Sequence, residues 1–169
     1  SHKFNFFPKI INNNNKFLIM SFIDSNNNLP IKTNDDLLGA IISLHSKRSN
    51  NYGFNFDTQI GGLKQSNSNS KNWLEFYIDK RLYYIFDLIN KYQPMNKVIN
   101  TKIELLLKKI NNFIPNKPKP SLLHGDLWEG NILFKNNKFS GFIDPGSFYG
   151  HNELEVSYLR WFNPKFIDM

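Results

Sequence analysis

Apolar and polar positions divide the chain into a β-rich start, a helical middle and a second β-rich stretch near the end. Lys16 to Asp24, carrying Phe17, Leu18, Ile19, Met20, Phe22 and Ile23, is rich in β-formers and of strand length, and predicts a buried strand ending near Ser21. From about 34 to 47, Leu37, Leu38, Ile41, Ile42, Leu44 and His45 recur with a 3.6-residue period. Thr33 is the expected cap of that helix, and Asp35 and Asp36 suit the positive end of its dipole. Residues 50–70, rich in Asn, Ser and Gly, read as one long structured loop of a length that is usually functional or disordered. Trp73, Phe76, Tyr77, Leu82, Tyr84, Phe86 and Leu88 then fit one long helix from Asn72 to about Lys91. Val98 to Phe113 fits another, stopped by Pro115, Pro118 and Pro120.

After the prolines the pattern changes to short apolar segments separated by polar turns: Ser121-Leu122-Leu123, Asn131 to Phe134, and Phe139 to Ile143. Lys135-Asn136-Asn137-Lys138 supplies a hairpin turn, which brings the segment after Asp126 beside the segment before Asp144. A last helix is expected from roughly Glu153 to Phe162. Polar tracts at Asn12–Asn15, Asn26–Asn28 and Ser66–Ser70 punctuate one domain, and no internal repeat is detected.

Composition narrows the possibilities without naming a function. The 169 residues include 40% apolar and 15% aromatic residues, enough for a modest core and too many for a disordered chain. No apolar run approaches the roughly 20 residues of a membrane-spanning helix, and a cytoplasmic protein without membrane association is expected. With no cysteine, disulfides and thiolate metal sites are excluded. The net charge of +7 sets 18 Lys and 3 Arg against 14 acidic residues, and no two Lys are adjacent except Lys108-Lys109. Without a basic stripe it gives no footprint for nucleic acid. The skew to 26 Asn against one Ala looks like coding bias rather than selection for a partner.

The chemistry is concentrated in His124-Gly125-Asp126-Leu127-Trp128-Glu129-Gly130-Asn131, followed after the predicted hairpin by Ile143-Asp144-Pro145. Protein kinases space a catalytic-loop Asp and an Asn by four intervening residues, then place a metal-binding Asp after a following hairpin. The spacing has a physical reason, since phosphoryl transfer needs a carboxylate near the acceptor hydroxyl and hard oxygen ligands holding Mg²⁺ against the phosphates. In this reading Asp126 orients or accepts the acceptor's proton, Asn131 offers its amide oxygen to Mg²⁺, and Asp144 is the second ligand. A carboxylate already ionised at neutral pH acts more by positioning than as a strong base. His124 reads as a structural residue of the loop rather than a base. A turn or a helix cap would explain Asp126 and Asn131 alone; the agreement of all these residues in order and kind favours the kinase-like site.

Leu122 to Leu133 and Ile143-Asp144-Pro145-Gly146-Ser147-Phe148-Tyr149-Gly150-His151 together resemble the fructosamine kinase (ketosamine 3-kinase) family, a branch of the aminoglycoside-phosphotransferase-like kinases. The His-x-Asp pattern is common to the wider class, whereas the Trp128 position and the Asp-Pro to Tyr-Gly stretch are more particular to this family. Weaker similarities at Leu44-His45, Tyr52-Gly53-Phe54, Ile60-Gly61, Trp73 with Phe76 and Tyr77, and Arg81-Leu82 extend the match from about Pro8 to Trp161. The resemblance implies an α+β, protein-kinase-like fold: a mostly helical C-terminal lobe with a catalytic-loop β-hairpin, preceded by a remnant of the N-terminal lobe's sheet. It also implies ATP- and Mg²⁺-dependent phosphorylation of the 3-hydroxyl of ketosamines such as fructosyl- or ribulosyl-lysine, with an unstable product that releases the amine. On the family pattern Asp126 is the catalytic carboxylate, Asn131 and Asp144 hold metal, and Trp128 lines the sugar site, where an indole face can pack on a sugar ring. Met20, Ser21, Phe22 and Ile23 would form the hinge that binds adenine. Glu153 and Glu155 stand where the family carries acidic residues; since Asp is common at position 155, a cap or salt bridge is the expected role there.

The family's phosphate-covering Gly-rich loop, phosphate-binding Lys and partner Glu are not found in this sequence. Residues 1–24 are therefore expected to be the end of the N-terminal lobe and the hinge, and 25–169 a partial catalytic lobe, inactive by itself. An aminoglycoside-, choline- or homoserine-type kinase would share Asp126, Asn131 and Asp144 but not the Trp128 and Tyr149-Gly150 features. A non-catalytic pseudokinase module would have no need of the intact carboxylates and amide. A metal hydrolase built on His124, Asp126, Asp144 and His151 lacks compact ligand spacing.

Overall fold

The computed structural model describes residues 4–26 and 35–162. The first strands, β1 (Ile10–Asn13) and β2 (Leu18–Met20), pair antiparallel with Ile10 opposite Met20. The expected strand is present, but it is not buried. Every residue of both strands is exposed, because β2 pairs only with β1 and no described element covers either face.

Helix α1 (Asp35–His45) follows the predicted face, burying Leu37, Ala40, Ile41, Leu44 and His45. Its expected cap Thr33 lies outside the described residues. The segment expected to be a long loop contains a second hairpin, β3 (Thr58–Ile60) and β4 (Leu63–Gln65), turning at Gly61-Gly62. Three-residue strands with no alternation escape a periodicity argument. Beyond it, Asn72 caps α2 (Trp73–Tyr77) by accepting the Glu75 backbone N–H at 3.2 Å. The single helix expected over 72–91 is interrupted by a wide π-helical turn, Ile78–Tyr83, before α3 (Tyr84–Tyr92). Asn96 caps α4 (Lys97–Lys109) in the same way, and a 3₁₀ turn, Ile110–Asn112, ends it before the prolines.

Near the C-terminal end β5 (Ser121–Leu123) leads into the Asp126 loop and a 3₁₀ turn, Glu129–Asn131. Strands β6 (Ile132–Lys135) and β7 (Lys138–Phe142) form the expected hairpin. Asn136 and Asn137 take φ of 50° and 63° at its turn, the left-handed pair that suits right-twisted strands. A strand not expected from the sequence, β8 (Phe148–Gly150), pairs antiparallel with β5. Helix α5 (Asn152–Phe162) closes the described chain.

Two buried clusters support this end of the molecule. One joins Leu37, Ala40 and Ile41 of α1 to Leu127, Ile132, Phe134, Phe142 and Leu159; the other joins Trp73 and Phe76 of α2 to Tyr52, Leu123 and Phe148. Leu123 and Leu127 therefore anchor the loop between them in two different cores. Among the described residues no helix is long and apolar enough to cross a membrane.

Candidate functional site

Register places the metal candidates. Ile132 stands opposite Phe142 in the β6–β7 ladder, and one step beyond it the Ile143 backbone N–H donates to the Asn131 carbonyl at 3.1 Å. Asn131 and Asp144 thus emerge at the same end of the hairpin. Asn131 is buried, and its amide donates through Nδ2 both to the Asp126 carbonyl, 2.8 Å, and to Asp126 Oδ2, 3.1 Å. With the donor end of the amide engaged, its oxygen is the atom left for a cation. The exposed Asp144 adopts φ 53°, a left-handed conformation that asparagine and aspartate tolerate better than most residues and that recurs at functional loops.

The loop carrying Asp126 and the loop after Asp144 meet backbone to backbone. Gly125 has φ 87°, and a Cβ there would lie 2.2 Å from the Gly146 carbonyl oxygen. Only glycine permits this approach. The Gly125 N–H donates to Glu155 Oε1 at 2.7 Å, and Glu155 Oε2 meets His45 Nε2 at 2.6 Å. Glu155 therefore ties α1, α5 and the Asp126 loop together through buried hydrogen bonds, at the position where a cap or salt bridge is expected.

His124 is fully buried, with Nε2 donating to the Ile143 carbonyl at 2.9 Å and Nδ1 accepting the Asp126 backbone N–H at 3.3 Å. Phe7 stacks on its ring and Phe142 meets it edge-on. Burial pushes its pKa below the ordinary histidine value, against the pull of Glu155 and the other carboxylates. A neutral, doubly bonded imidazole is a strut between the two loops, in line with the structural role expected of it.

Burial pushes the Asp126 carboxyl above the usual range, and the charge of Asp144 adds to this; hydrogen bonds from Asn131 and the Tyr158 hydroxyl oppose it. Trp128 folds back over Gly130, where a Cβ would lie 2.4 Å from the indole, and it packs against Phe162 at 5.9 Å while staying 38% exposed.

Among the hinge candidates, the Ser21 N–H donates to the Lys9 carbonyl at 2.8 Å and Ser21 Oγ accepts the Lys9 N–H at 2.9 Å. Ile23 packs toward Gly141 of β7, Asp24 pairs with Lys135, and the Asn26 N–H donates to the Phe134 carbonyl. The candidate hinge therefore lies along the β6–β7 hairpin, with Met20 and Phe22 exposed. Two cavities border the loops next to Asp144 and Asp126, and none of Met20, Ser21, Phe22 and Ile23 lines either. One of about 950 Å³ borders Phe7, Pro145 and Tyr149; the other, about 750 Å³ and largely apolar, borders Gly125, Arg81 and Tyr158.

Among the described residues no cluster of three or more His, Asp or Glu forms a protein-only metal cage. Asp144 with the Asn131 amide oxygen instead offers the sparse, hard-oxygen set by which Mg²⁺ is held jointly with phosphates. No local signal in the sequence marks Tyr158, Thr58, Gln65 or Asn67 as neighbours of these loops. The last three sit in an Asn- and Ser-rich stretch whose composition marks only a loop.

The family model for fructosamine kinase matches residues 8–167. A protein-ribulosamine 3-kinase, chloroplastic, from Arabidopsis thaliana is 36% identical over 149 residues, covering 86% of this chain and 44% of that protein. A Mus musculus ketosamine-3-kinase is 36% identical over 111 residues, covering 66% and 36%. The crystal structure of a "putative fructosamine-3-kinase" from Thermobifida fusca superposes with a TM-score of 0.83 at 23% identity, covering 92% of this chain and 53% of that one. The chain spans about half or less of the length of these proteins, and the likeness of structure establishes the kinase-like α+β fold.

Proposed function

Since the chain belongs to the fructosamine kinase family, we propose that its activity is ATP-dependent phosphorylation of the 3-hydroxyl of a ketosamine, a fructosyl- or ribulosyl-amine, in deglycation. The observation that carries this reading is the joining of Asp126 to Asn131 through one amide, with the Asp144 loop packed against Gly125. In the transfer the acceptor oxygen bonds to the γ-phosphorus, the bond to the departing ADP oxygen breaks, and Asp126 takes up the acceptor's proton. Bound Mg²⁺ supplies charge stabilisation to the phosphates. Asp144 and the Asn131 amide oxygen would hold it, and the Asn131 NH₂ keeps Asp126 oriented. Trp128, braced by Gly130 and Phe162, offers an apolar face to the sugar. Residues 1–24 are read as the end of the N-terminal lobe with the adenine-binding hinge at Met20, Ser21, Phe22 and Ile23, and 25–169 as part of the catalytic lobe. The cytoplasm, where ATP and Mg²⁺ are plentiful, is the setting in this reading.

The test is phosphate transfer from ATP-Mg²⁺ to ribulosyl-lysine, fructosyl-lysine and kanamycin, with protein expressed from the complete reading frame. Transfer to a ketosamine that falls about 10²- to 10⁴-fold in Asp126→Asn, with nucleotide binding kept, is the expected result. Transfer to kanamycin alone would move the acceptor to the aminoglycoside branch. No transfer to any acceptor would put a non-catalytic module in its place.

A further inference from the structure

The wide helical turn at Ile78–Tyr83 delivers Arg81 to an unusual position. Residues five apart on a regular α-helix point about 140° away from one another. Yet the Arg81 guanidinium lies 4.9 Å from the centre of the Phe76 ring, five residues earlier. Hydrogen bonding in the i→i+5 pattern brings the two to one side, and such turns recur where function constrains a helix. The same guanidinium sits 4.4 Å over Phe148 of β8. Nη1 donates to the Ser66 carbonyl at 2.9 Å and to the Lys80 carbonyl at 3.0 Å, and Nη2 to Asn67 Oδ1 at 2.7 Å.

Among the described residues no carboxylate lies within ion-pair distance of this cation, and its Nε is buried without a partner. Burial lowers its pKa to about 10. A desolvated cation with no directly paired carboxylate, drawn only at longer range by Asp57, is costly to keep, and apolar packing against Phe76 and Phe148 does not require one.

What the guanidinium reaches explains the expense. Asn67, itself 1% exposed, accepts from Arg81 and donates through Nδ2 to Thr58 Oγ1 at 2.8 Å; Thr58 Oγ1 donates to the Gly146 carbonyl at 3.2 Å. Donation thus runs one way from Arg81 to Gly146, and Gln65 Nε2 adds a second bond to that carbonyl at 3.4 Å. Gly146 lies two residues after Asp144, and Phe148 two residues further on. Arg81 therefore grips the segment that follows Asp144 at two points, by relay and by its ring contact.

Resting on the reading of Asp144 as a metal ligand, we propose that Arg81 is a positioning residue: through Asn67, Thr58 and Phe148 it holds the Asp144 segment in the conformation that binds a divalent cation. The test is Mn²⁺ titration, followed by electron paramagnetic resonance, of protein from the complete reading frame with a non-hydrolysable ATP analogue. Thermal unfolding is recorded alongside. Arg81→Met is expected to weaken Mn²⁺ binding about tenfold or more, as loss of an outer partner does at metal sites, while leaving KM for the acceptor unchanged. Arg81→Lys keeps the cation over the rings but cannot span the Ser66 and Asn67 oxygens together, and should restore only part of the affinity. Thr58→Val cuts the last link alone and should weaken binding roughly threefold; it decides the matter if Arg81→Met does not fold. Unchanged Mn²⁺ affinity in Thr58→Val and in a folded Arg81→Met, with binding lost in Asp144→Asn, overturns the role of Arg81 and spares the metal site. Unchanged affinity in Asp144→Asn overturns the metal assignment, and the role of Arg81 with it.

Discussion

Two hairpins of similar length and similar apolar content meet very different fates in this molecule. Strands β6 and β7 bury Ile132, Phe134 and Phe142 in a core shared with α1 and α5, and their open end carries Asn131 and leads to Asp144. Strands β1 and β2 leave Ile10, Ile11, Leu18 and Ile19 more than half exposed, although the proposed function would draw on both hairpins. The comparison separates two requirements on a site. Residues that hold metal and orient an acceptor need positions fixed from several sides, and the Asp126 loop is fixed by Glu155, His124, Asn131 and Gly146. In the proposed function, a hinge that contacts adenine through its backbone would need only the correct strand direction, and the Ser21–Lys9 pair of hydrogen bonds fixes that direction.

The contrast is open to direct attack. Gly125→Ala puts a side chain 2.2 Å from the Gly146 carbonyl at a φ of 87°, and should cost about 2–4 kcal/mol in denaturant unfolding; a loss near zero would mean that the two loops are not packed as described. A smaller effect is expected from pH. Because burial raises the Asp126 pKa above its ordinary value and the carboxyl must be ionised to accept a proton, kcat/KM should fall on the acid side at a higher pH than an ordinary carboxylate would give. Tyr158→Phe removes a hydrogen bond that favours the ionised form, so the acid limb should move further up in pH, with only a few-fold loss at neutral pH. A limb that stays in place excludes the Tyr158 contact as a contributor. The smallest effect belongs to the exposed hairpin: Ile11→Ser should change stability by no more than about 0.5 kcal/mol. A loss of several kcal/mol there would erase the distinction between the two hairpins.

Much of this arrangement is legible in the linear chain. The β6–β7 hairpin, its Asn136-Asn137 turn, the amphipathic α1 and the Asp126 to Asn131 spacing all follow from local signals acting over a few residues. Burial of the Leu18–Met20 strand does not, because apolar strand residues are exposed or covered according to what packs on them. Strand β8 is equally illegible: Phe148-Tyr149-Gly150 is too short for a period, and it is a strand because β5 lies beside it.

The sequence by itself determined the elements that depend on neighbours within a turn or two, and the order of chemical groups that marks a kinase-like site. Tertiary structure alone decided that Gly125 would face Gly146, that Glu155 would join His45 to the Asp126 loop, and that a widened turn would send Arg81 toward Asn67. Those contacts join residues 14 to 110 positions apart. Their energy comes from desolvation and close packing, which depend on what the folded chain brings together and leave no period or spacing to read beforehand.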